Sequence, residues 1–375
     1  MNIKDTIKEA AVSLGIESIG FTNVLDYSYL EENLRRRKAY GFESEFEEHD
    51  IEKRLDVRNV FLKCKSIIAV AVPYGVGYKK PSVADKGLLS VVAFGEDYHT
   101  KIRCMLEKLA KEIQKQFDFE YVICVDTSPL LDREVCRNAN LGHQGKNTML
   151  INNHYGSFVN LGYILTDIEM ECEKYEEKDI CGSCSLCMKS CPNKAITDSG
   201  IDTGRCISAL TQTKKDIPYE YRLSMKNQLY GCDMCQLVCP RNKKVLGMGS
   251  SVDYSCLAVD LKEILTISGA EFAKKYGNTS GGWRGKNIWK RNALIAIGNL
   301  RLQSMYEAVE KELDSPSEMI RIYAAWSLLM LHAKKASVVL NNRLNNEKDK
   351  VRHEFEKLLE VYDDNWNMRD RDIDL

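Results

Sequence analysis

The chain has 375 residues, a formal net charge of −1, and 44% hydrophobic and 29% charged residues. This length accommodates two or three domains, and a near-neutral total charge excludes a strongly basic or acidic protein without identifying a partner. The N-terminal stretch MNIKDTIKEAAVSLG predicts an amphipathic helix and not a signal peptide, and the most apolar run is too short to span a bilayer. We therefore expect a soluble, cytoplasmic protein without membrane attachment, in which 14 cysteines serve metal or redox chemistry.

The first 175 residues alternate strand-like and helix-like segments. SIIAVAVPY and EYVICVD predict buried strands, and DYHTKIRCMLEKLAKEIQKQF between them has its apolar residues at helical spacing. GSFVNLGYILTDI predicts a further strand or strand pair. We therefore predict an α/β domain over residues 1–175, with three layers around a central sheet.

The composition changes after this domain. Residues 167–179, DIEMECEKYEEKD, hold seven acids and two lysines, which predicts a solvated connector. Cysteines dominate the next segment, and we predict a ferredoxin-like domain over residues 176–248 and an all-helical domain over residues 249–375. The helical part has a weak repeat of 31 residues, with recurrences at Lys290, Arg321 and Arg352, at Ala293, Ala324 and Phe355, and at Ile297, Leu328 and Leu359. This pattern is typical of stacked HEAT-like helices, and an ordinary amphipathic bundle has a similar one.

Eight cysteines have the spacing of iron–sulfur ligands. The run CGSCSLCMKSCP matches the bacterial ferredoxin pattern, in which the fourth cysteine ligates the other cluster. The second run, CDMCQLVCP, lacks one ligand, and Cys206 stands between the two runs to supply it. We predict one [4Fe–4S] cluster on Cys181, Cys184, Cys187 and Cys239, and a second on Cys191, Cys206, Cys232 and Cys235.

A zinc site is the weaker alternative, because zinc requires four cysteines and rarely leaves four more nearby. The other six cysteines, at positions 64, 104, 124, 136, 172 and 256, are scattered through the chain. We expect each of them to be a small buried hydrophobic residue.

The first domain does not reveal its cofactor by a common motif. No GxGxxG follows a strand, so a dinucleotide site is not indicated, and the cobalamin signature DxHxxG is also missing. Asp126 follows the apolar strand EYVICV, where a strand end opens into a pocket in α/β domains. The residues alone slightly favour a turn or helix-capping aspartate, since Thr, Ser and Pro follow it. The stretch LGHQGKN is a glycine-bracketed loop suited to a ligand or to a plain turn.

Several motifs, taken in order, resemble those of the epoxyqueuosine reductase family. They are DIEKR at 50–54, GEDYH at 95–99, VDT at 125–127, GKN at 145–147, the eight cysteines, CISALTQTK at 206–214, YGCDMCQLVCP at 230–240 and SGGWRGKNIWKRNA at 280–293. The resemblance implies an enzyme that reduces epoxyqueuosine at the wobble position of the tRNA anticodon to queuosine, the last step of queuosine biosynthesis. It also implies cobalamin, as cob(II)alamin, two [4Fe–4S] clusters and an external electron donor of the ferredoxin or flavodoxin type.

The same resemblance assigns roles to individual residues. Asp126 would be the general acid, and we expect an apolar corrinoid-filled pocket to raise its pKa toward neutrality. The residues implied to line the corrinoid are Arg54, Asp126, Lys146, Asn147, the tract from Leu150 to Leu161, Ser208, Cys232 and Asp233. Two positions depart from the family pattern: no arginine precedes GEDYH in SVVAFGEDYH, and His143 replaces the usual tryptophan of the glycine–lysine loop.

A tRNA substrate requires a positive surface, because phosphate contacts supply much of the affinity. Between Lys274 and Arg301 the chain has seven basic residues and no acid, with Trp283 and Trp289 interleaved as stacking platforms. From Arg205 to Lys244 there are eight basic residues and three acids, whereas the tail from Glu347 onward is acidic. The predicted tRNA contacts are Gln212, Lys214, Trp283, Arg284, Lys286, Lys290 and Arg291. The alternative is a solvated helix face, with the tryptophans in the core.

Two other functions compete with this one. A corrinoid and iron–sulfur reductase of a small molecule, similar to reductive dehalogenases, would not need the basic, tryptophan-bearing helical domain. A ferredoxin-like electron carrier with a docking domain would bind clusters but no corrinoid. The absorption spectrum of the reconstituted protein separates the last alternative from the two enzymes.

Overall fold

The computed structural model describes residues 3–81, 83–249 and 252–362. Part of the acidic tail predicted from Glu347 onward therefore lies outside the described residues. No helix within the described ranges is both long and apolar enough to cross a membrane.

The chain contains helices and short strands in alternation up to residue 260, and helices after it. The helices are α1 Ile3–Ser13, α2 Glu31–Ala39, α3 Ile51–Leu55, α4 Tyr98–Gln114, α5 Asp132–Asn138, α6 Leu186–Ser190, α7 Ile207–Leu210, α8 Tyr219–Arg222, α9 Met234–Leu237, α10 Lys243–Gly247, α11 Leu261–Thr266, α12 Gly269–Tyr276, α13 Lys286–Asn299, α14 Tyr306–Lys311, α15 Glu318–Arg343 and α16 Asp349–Val361. The strands are β1 Ile19–Thr22, β2 Ser66–Pro73, β3 Lys86–Leu89, β4 Tyr121–Cys124, β5 His143–Gln144, β6 Leu150–Ile151, β7 Val159–Thr166, β8 Ile196–Thr197, β9 Gly200–Ile201, β10 Gln228–Tyr230 and β11 Ala258–Asp260.

These elements form two compact units. Of the described residues, the first comprises 3–79, 94–206, 233–249 and 252–253, and the second comprises 80–81, 83–93, 207–232 and 254–362. This division crosses the predicted boundaries at 175 and 248, because residues 80–93 and 207–232 belong with the C-terminal helices. The three-domain division stays a prediction.

The first unit is built on a sheet with the strand order β1-β2-β7-β4. All three pairings are antiparallel, and Tyr163 of β7 lies opposite both Ala69 of β2 and Cys124 of β4. The three strands predicted from apolar runs are β2, β4 and β7, and the last is a single strand. The sheet differs from the parallel sheet of typical α/β domains, since neighbouring strands run in opposite directions.

Helices cover both faces of this sheet, so the predicted three layers are confirmed. On one face, Ile102 and Leu106 of α4 pack against Ile68 and Ile164 of the sheet. On the other face, side chains of α2, α3 and α5 pack against Ile67, Ala69 and Leu165. Helix α4 has buried residues at positions 102, 106, 109, 110 and 113, which is the spacing of one helix face. The connector at 167–179 has no regular secondary structure and is mostly exposed.

The second unit combines a small sheet with the C-terminal helices. Strand β3 pairs in parallel with β10 and antiparallel with β11. Because β11 lies within residues 249–375, the prediction of a purely helical segment is wrong at that strand. The remainder is helical: α13 packs against α15, and α15 packs against α16. Helix α15 is interrupted at His332, whose backbone leaves the helical region.

The 31-residue recurrence corresponds to packing inside this helical region. Ala293, Ala324 and Phe355 are fully buried. The recurring basic residues make internal contacts: Lys290 pairs with Glu312 at 2.8 Å, and Arg321 pairs with Glu347 at 3.1 Å. The helical nature of this region is confirmed, whereas its HEAT-like character stays a prediction.

Candidate functional site

Asp126 lies two residues beyond the end of β4 and contacts the start of α4. Its backbone has φ of +53°, a left-handed conformation that aspartate adopts more readily than most residues. Its carboxylate accepts a hydrogen bond from the Tyr98 hydroxyl at 2.5 Å, and its Oδ2 is 3.5 Å from Nε2 of His99. The Asp97 carboxylate caps α4 by accepting from the backbone N–H of His99, and it lies 2.7 Å from the imidazole Nδ1. His99 is therefore held between two carboxylates.

This arrangement shifts two pKa values in opposite directions. The hydrogen bond with Asp126 raises the pKa of His99 above its usual value; desolvation opposes this effect, and Asp97 adds to it. Desolvation acts to raise the pKa of Asp126, but hydrogen bonds with His99 and Tyr98 outweigh it and leave that pKa below its usual value. This direction is opposite to the rise expected for an apolar, corrinoid-filled pocket, because both neighbours favour the carboxylate.

A cavity of about 360 Å³ lies beside this group. Its lining residues are His99, Thr100, Arg103, Cys104, Glu107, Val125 and Thr127. The cavity places open space next to the imidazole and next to the loop that carries Asp126.

The GEDYH stretch carries part of the family resemblance, but its residues alone do not predict a role for Tyr98 or His99. Helix α4 packs on the sheet, and β4 of that sheet leads into the loop that carries Asp126. This packing brings Tyr98 and His99 to Asp126. The signal available in the sequence was Asp97, a strong N-cap residue directly before an amphipathic helix.

Two residues implied to bind the corrinoid have buried polar atoms without a partner among the described residues. They are Nε of Arg54 and Nδ2 of Asn147. Arg54 also forms a 2.9 Å ion pair with Glu47, a partner that the sequence did not predict. Desolvation acts to raise the pKa of Glu47, but Arg37 and Arg54 help to hold it below its usual value. Because both unpartnered atoms are hydrogen-bond donors, they fit a ligand that is rich in acceptors.

The other implied corrinoid residues have varied surroundings. The Lys146 ammonium group donates to the carbonyls of Gly182 and Cys184, at 2.6 and 3.2 Å, and so contacts the loop of the first cysteine run. Leu150 is buried in the core, so its side chain has a packing role, while Leu161 is half-buried against the same core. Asp233 is buried at the start of α9. Ser208 and Cys232 belong to the second unit, and their ligand contacts stay predictions.

The two cysteine runs end in similar local structures. Cys191 follows α6 and Cys239 follows α9 after one further residue, and α6 packs against α9. Burial raises the pKa of Cys239, and the thiols of Cys181 and Cys184 add to the shift. Burial also raises the pKa of Cys187, with contributions from Cys181 and Cys239. The four thiols that we assigned to the first cluster are therefore near enough to affect one another's pKa.

Among the described residues, no group of three or more histidine, cysteine, aspartate or glutamate side chains is close enough to hold a single metal ion. A four-iron cluster is larger than one ion, so its ligands stand further apart. All fourteen cysteines lie outside disulfide bonds. Of the six scattered ones, Cys64, Cys124 and Cys136 are buried as expected and Cys172 is half-buried. The expectation is wrong for Cys104 and Cys256, which are exposed.

One group of the predicted tRNA contacts forms an exposed surface on the second unit. The Trp283 side chain is 52% exposed, and its indole N–H donates to Oε1 of Gln212 at 3.0 Å. The Arg284 guanidinium stacks 4.2 Å from the centre of the Trp283 ring and donates to the backbone oxygen of Gln212. Lys214 is exposed, and Lys286 is half-buried at the start of α13. We call Gln212, Lys214, Trp283, Arg284 and Lys286 the tryptophan surface.

Other members of the predicted surface are internal. Trp289 is 1% exposed and packs against Phe272 and Tyr276, so its prediction as a stacking platform is wrong. Arg291 is fully buried and donates to the carbonyls of Thr213 and Leu210, at 2.5 and 2.8 Å. Its predicted phosphate contact is therefore wrong. Lys290 is half-buried, and Glu312 neutralises its charge.

Two family models match the chain. The model described as "Epoxyqueuosine reductase QueG, DUF1730" matches residues 54–127, and the one described as "4Fe-4S double cluster binding domain" matches residues 180–242. The second range includes all eight cysteines of the two predicted clusters. The curated epoxyqueuosine reductase of Bacillus subtilis is 36% identical over 370 residues, covering 96% of each chain. That of Bacillus anthracis is 35% identical over 373 residues, covering 96% of this chain and 97% of the relative.

Solved structures agree with these relatives. A crystal structure of epoxyqueuosine reductase with an epoxyqueuosine-modified tRNA-Tyr stem loop has a TM-score of 0.90 and 35% identity, covering 96% of this chain and 98% of that one. The Bacillus subtilis enzyme has a TM-score of 0.89 and 34% identity, covering 96% and 99%. It is described with an aspartate catalytic loop swung out of the active site.

The buried position of Arg291 generates a stability prediction. Replacing Arg291 with Met removes the donor from the carbonyls of Leu210 and Thr213, and each carbonyl left unpaired costs about 1–3 kcal/mol. The free energy of unfolding of Arg291→Met, measured by chemical denaturation, should fall by at least that amount. The control Lys274→Met, at an exposed helix position, should unfold like the parent protein. Equal stability of the two variants would contradict the internal role of Arg291.

Proposed function

This chain belongs to the epoxyqueuosine reductase family, a family of oxidoreductases, and we propose that it reduces epoxyqueuosine at the wobble position of the tRNA anticodon to queuosine. The family relationship covers nearly the whole chain, and one of the similar structures contains the modified stem loop. The observation that carries the chemical part of the proposal is the Asp126 carboxylate beside an imidazole with a raised pKa. The reaction is the last step of queuosine biosynthesis.

Reducing an epoxide to an alkene takes two electrons and two protons, and the oxygen leaves as water. When bound, two [4Fe–4S] clusters and cob(II)alamin supply the electrons, which originate from an external donor of the ferredoxin or flavodoxin type. The thiols of Cys181, Cys184, Cys187 and Cys239 would hold one cluster, a set supported by their mutual electrostatic effects. Cys191, Cys206, Cys232 and Cys235 would hold the other.

The corrinoid would be held by residues that the family resemblance implies, among them Arg54, Asn147, Ser208 and Cys232. Support comes from Arg54 and Asn147, whose buried donor atoms have no partner among the described side chains and main chain. Buried donors are rarely left unpaired in folded proteins. The acetamide groups of a corrinoid offer acceptors of the required kind. Lys146 would act near the cysteine loop, since its ammonium group is bonded to Gly182 and Cys184.

The proton would come from the pair formed by Asp126 and His99. The C–O bond of an epoxide breaks readily only if its oxygen receives a proton, because an alkoxide is a poor leaving group. The raised pKa of His99 favours the imidazolium near neutral pH, and the lowered pKa of Asp126 favours the carboxylate. Asp126 would pass a proton from His99 to the substrate oxygen, and Asp97 would hold the imidazole in place. The swung-out loop of the Bacillus subtilis relative supports a mobile Asp126 loop in this chain.

The tRNA would bind at the tryptophan surface of a HEAT-like helical region. Trp283 offers an exposed aromatic face on which an unstacked base can stack. Arg284, Lys214 and Lys286 supply positive charge next to it for backbone phosphates. Gln212 fixes the indole and guanidinium groups through its side-chain and main-chain oxygens.

Replacing Asp126 with Asn tests the proton transfer. The variant should retain its iron and its tRNA affinity, while its single-turnover rate with a chemical reductant falls by about 10²-fold or more. Corrinoid content is measured alongside, and its loss from the variant would assign Asp126 to corrinoid binding instead. In the parent protein the rate should decline as the pH rises through the pKa of His99, above the usual 6.5. The donor proton is present below that pKa and lost above it. Near-normal turnover by Asp126→Asn would remove Asp126 from the mechanism.

Replacing Cys206 with Ser tests the ligand assignment. One cluster loses a ligand, so the iron content should fall by about half and one of the two EPR signals of the reduced protein should disappear. The control is Cys256→Ser, which changes an exposed cysteine outside both runs and should retain all iron. Full iron content and unchanged signals in Cys206→Ser would refute the assignment.

Neutralising the tryptophan surface tests the tRNA contact. The double variant Arg284→Gln, Lys286→Gln should weaken tRNA binding, and the slope of log K against log salt should fall by roughly 1 to 2 because fewer counterions are released. The matched control is Lys108→Gln, Lys111→Gln, which removes two exposed charges from α4. Equal affinity and equal salt slopes for the two double variants would show that this surface does not bind tRNA.

A further inference from the structure

The loop that carries Asp126 is connected to the sheet by a chain of hydrogen bonds. The backbone N–H of Leu130 donates to Oγ of Ser128 at 3.3 Å. Oγ of Ser128 lies 2.8 Å from the Tyr163 hydroxyl oxygen, and the Tyr163 hydroxyl donates to Oδ1 of Asp132 at 2.6 Å. Since the single hydroxyl proton of Tyr163 goes to Asp132, Ser128 donates to Tyr163. Each hydroxyl in this series accepts one hydrogen bond and donates the next, and hydrogen bonds in such an order strengthen one another.

Tyr163 connects this series of hydrogen bonds to the central sheet. It is fully buried in β7, and its backbone lies opposite Cys124, the last residue of β4 and two positions before Asp126. Its hydroxyl contacts the loop at Ser128 and the first residue of α5 at Asp132. It therefore holds both the middle and the far end of the segment 126–132. Burial raises the pKa of the Asp132 carboxyl, which accepts the Tyr163 hydroxyl, to about 7.

The loop has a second attachment of a different kind. Tyr98 and His99 contact the Asp126 carboxylate itself, so these bonds change whenever that carboxylate gains or loses a proton. The Tyr163 chain does not include the Asp126 side chain. None of its hydrogen bonds is made by the carboxylate that changes its protonation state.

We propose that Tyr163 is a positioning residue of the reaction, whose hydroxyl holds the 126–131 loop inward so that Asp126 stays beside His99 and the cavity. The inference rests on Asp126 as the proton donor proposed above. Breaking the anchor would let the loop leave the site. The donor would then be absent for part of the time, and the rate would fall without a change in substrate binding.

Hydrogen exchange of the complete holoprotein, followed by mass spectrometry, tests the anchor directly. Tyr163→Phe keeps the ring and removes the hydroxyl, and Ser128→Ala removes the middle link without altering the core. In both variants the backbone amides of Thr127, Ser128, Leu130 and Leu131 should exchange about tenfold faster than in the parent, the effect of losing one hydrogen bond. The matched control is Tyr27→Phe, because Tyr27 is equally buried in the same core and its hydroxyl bonds to Val24. Exchange of the loop should not change in that control.

The same variants are assayed for single turnover and for tRNA affinity. Tyr163→Phe should lower the rate about tenfold at unchanged affinity. Asp132→Asn keeps an oxygen acceptor for Tyr163, so its turnover rate should stay close to that of the parent protein. Asp132→Ala removes the acceptor, so its turnover rate should fall. Unchanged loop exchange in Tyr163→Phe and Ser128→Ala would overturn the anchor, as would faster exchange with a normal rate. A different result would refute the role of Asp126 as proton donor: normal turnover by Asp126→Asn together with faster loop exchange in Tyr163→Phe. The failure of the one proposal is therefore distinguishable from the failure of the other.

Discussion

The contact between the Asp126 carboxylate and the His99 imidazole is the interaction on which the rest of the site depends. His99 lies at the start of α4 and Asp126 lies just beyond the next strand, β4, and the packing of α4 on the sheet brings the two side chains together. Once they meet, each group favours the charged form of the other. In the proposed mechanism a proton is thereby held next to the cavity by groups of opposite charge, and the pKa of Asp126 need not be raised. Asp97 and Tyr98 orient the pair, and the Tyr163 hydroxyl holds the loop through Ser128 and Asp132.

The basic stretch between Lys274 and Arg301 shows how a charge pattern divides between structure and surface. The buried Arg291 donates its hydrogen bonds to main-chain carbonyls, and Lys290 forms an ion pair with Glu312. Arg284 instead lies over the exposed Trp283 ring. A stretch without acids is therefore only partly a positive surface. Burial of a guanidinium is tolerated because its donors are matched by carbonyl oxygens.

The sequence was sufficient where the spacing of residues fixes the outcome. The ligand spacing of the two cysteine runs follows from short chain segments, and the strands β2, β4 and β7 follow from compact apolar runs. It was insufficient where the outcome depends on partners far along the chain. Trp283 and Trp289 are six residues apart with the same side chain, and only tertiary packing separates an exposed ring from a buried one. The direction of the Asp126 pKa shift likewise depends on Tyr98 and His99, whose approach is not encoded locally.

The most direct measurement of the central claim is an NMR titration of the protein with nitrogen-15 in its histidine side chains. Six histidines are present, and His99 is assigned from the signal missing in His99→Gln. If His99 and Asp126 hold one proton between them, the pKa of His99 lies above 6.5. That pKa should fall in Asp126→Asn, because the hydrogen bond with Asp126 is the largest cause of the shift. A His99 pKa at or below 6.5, or one that is unchanged in Asp126→Asn, would contradict the claim that these two residues hold the proton of the reaction.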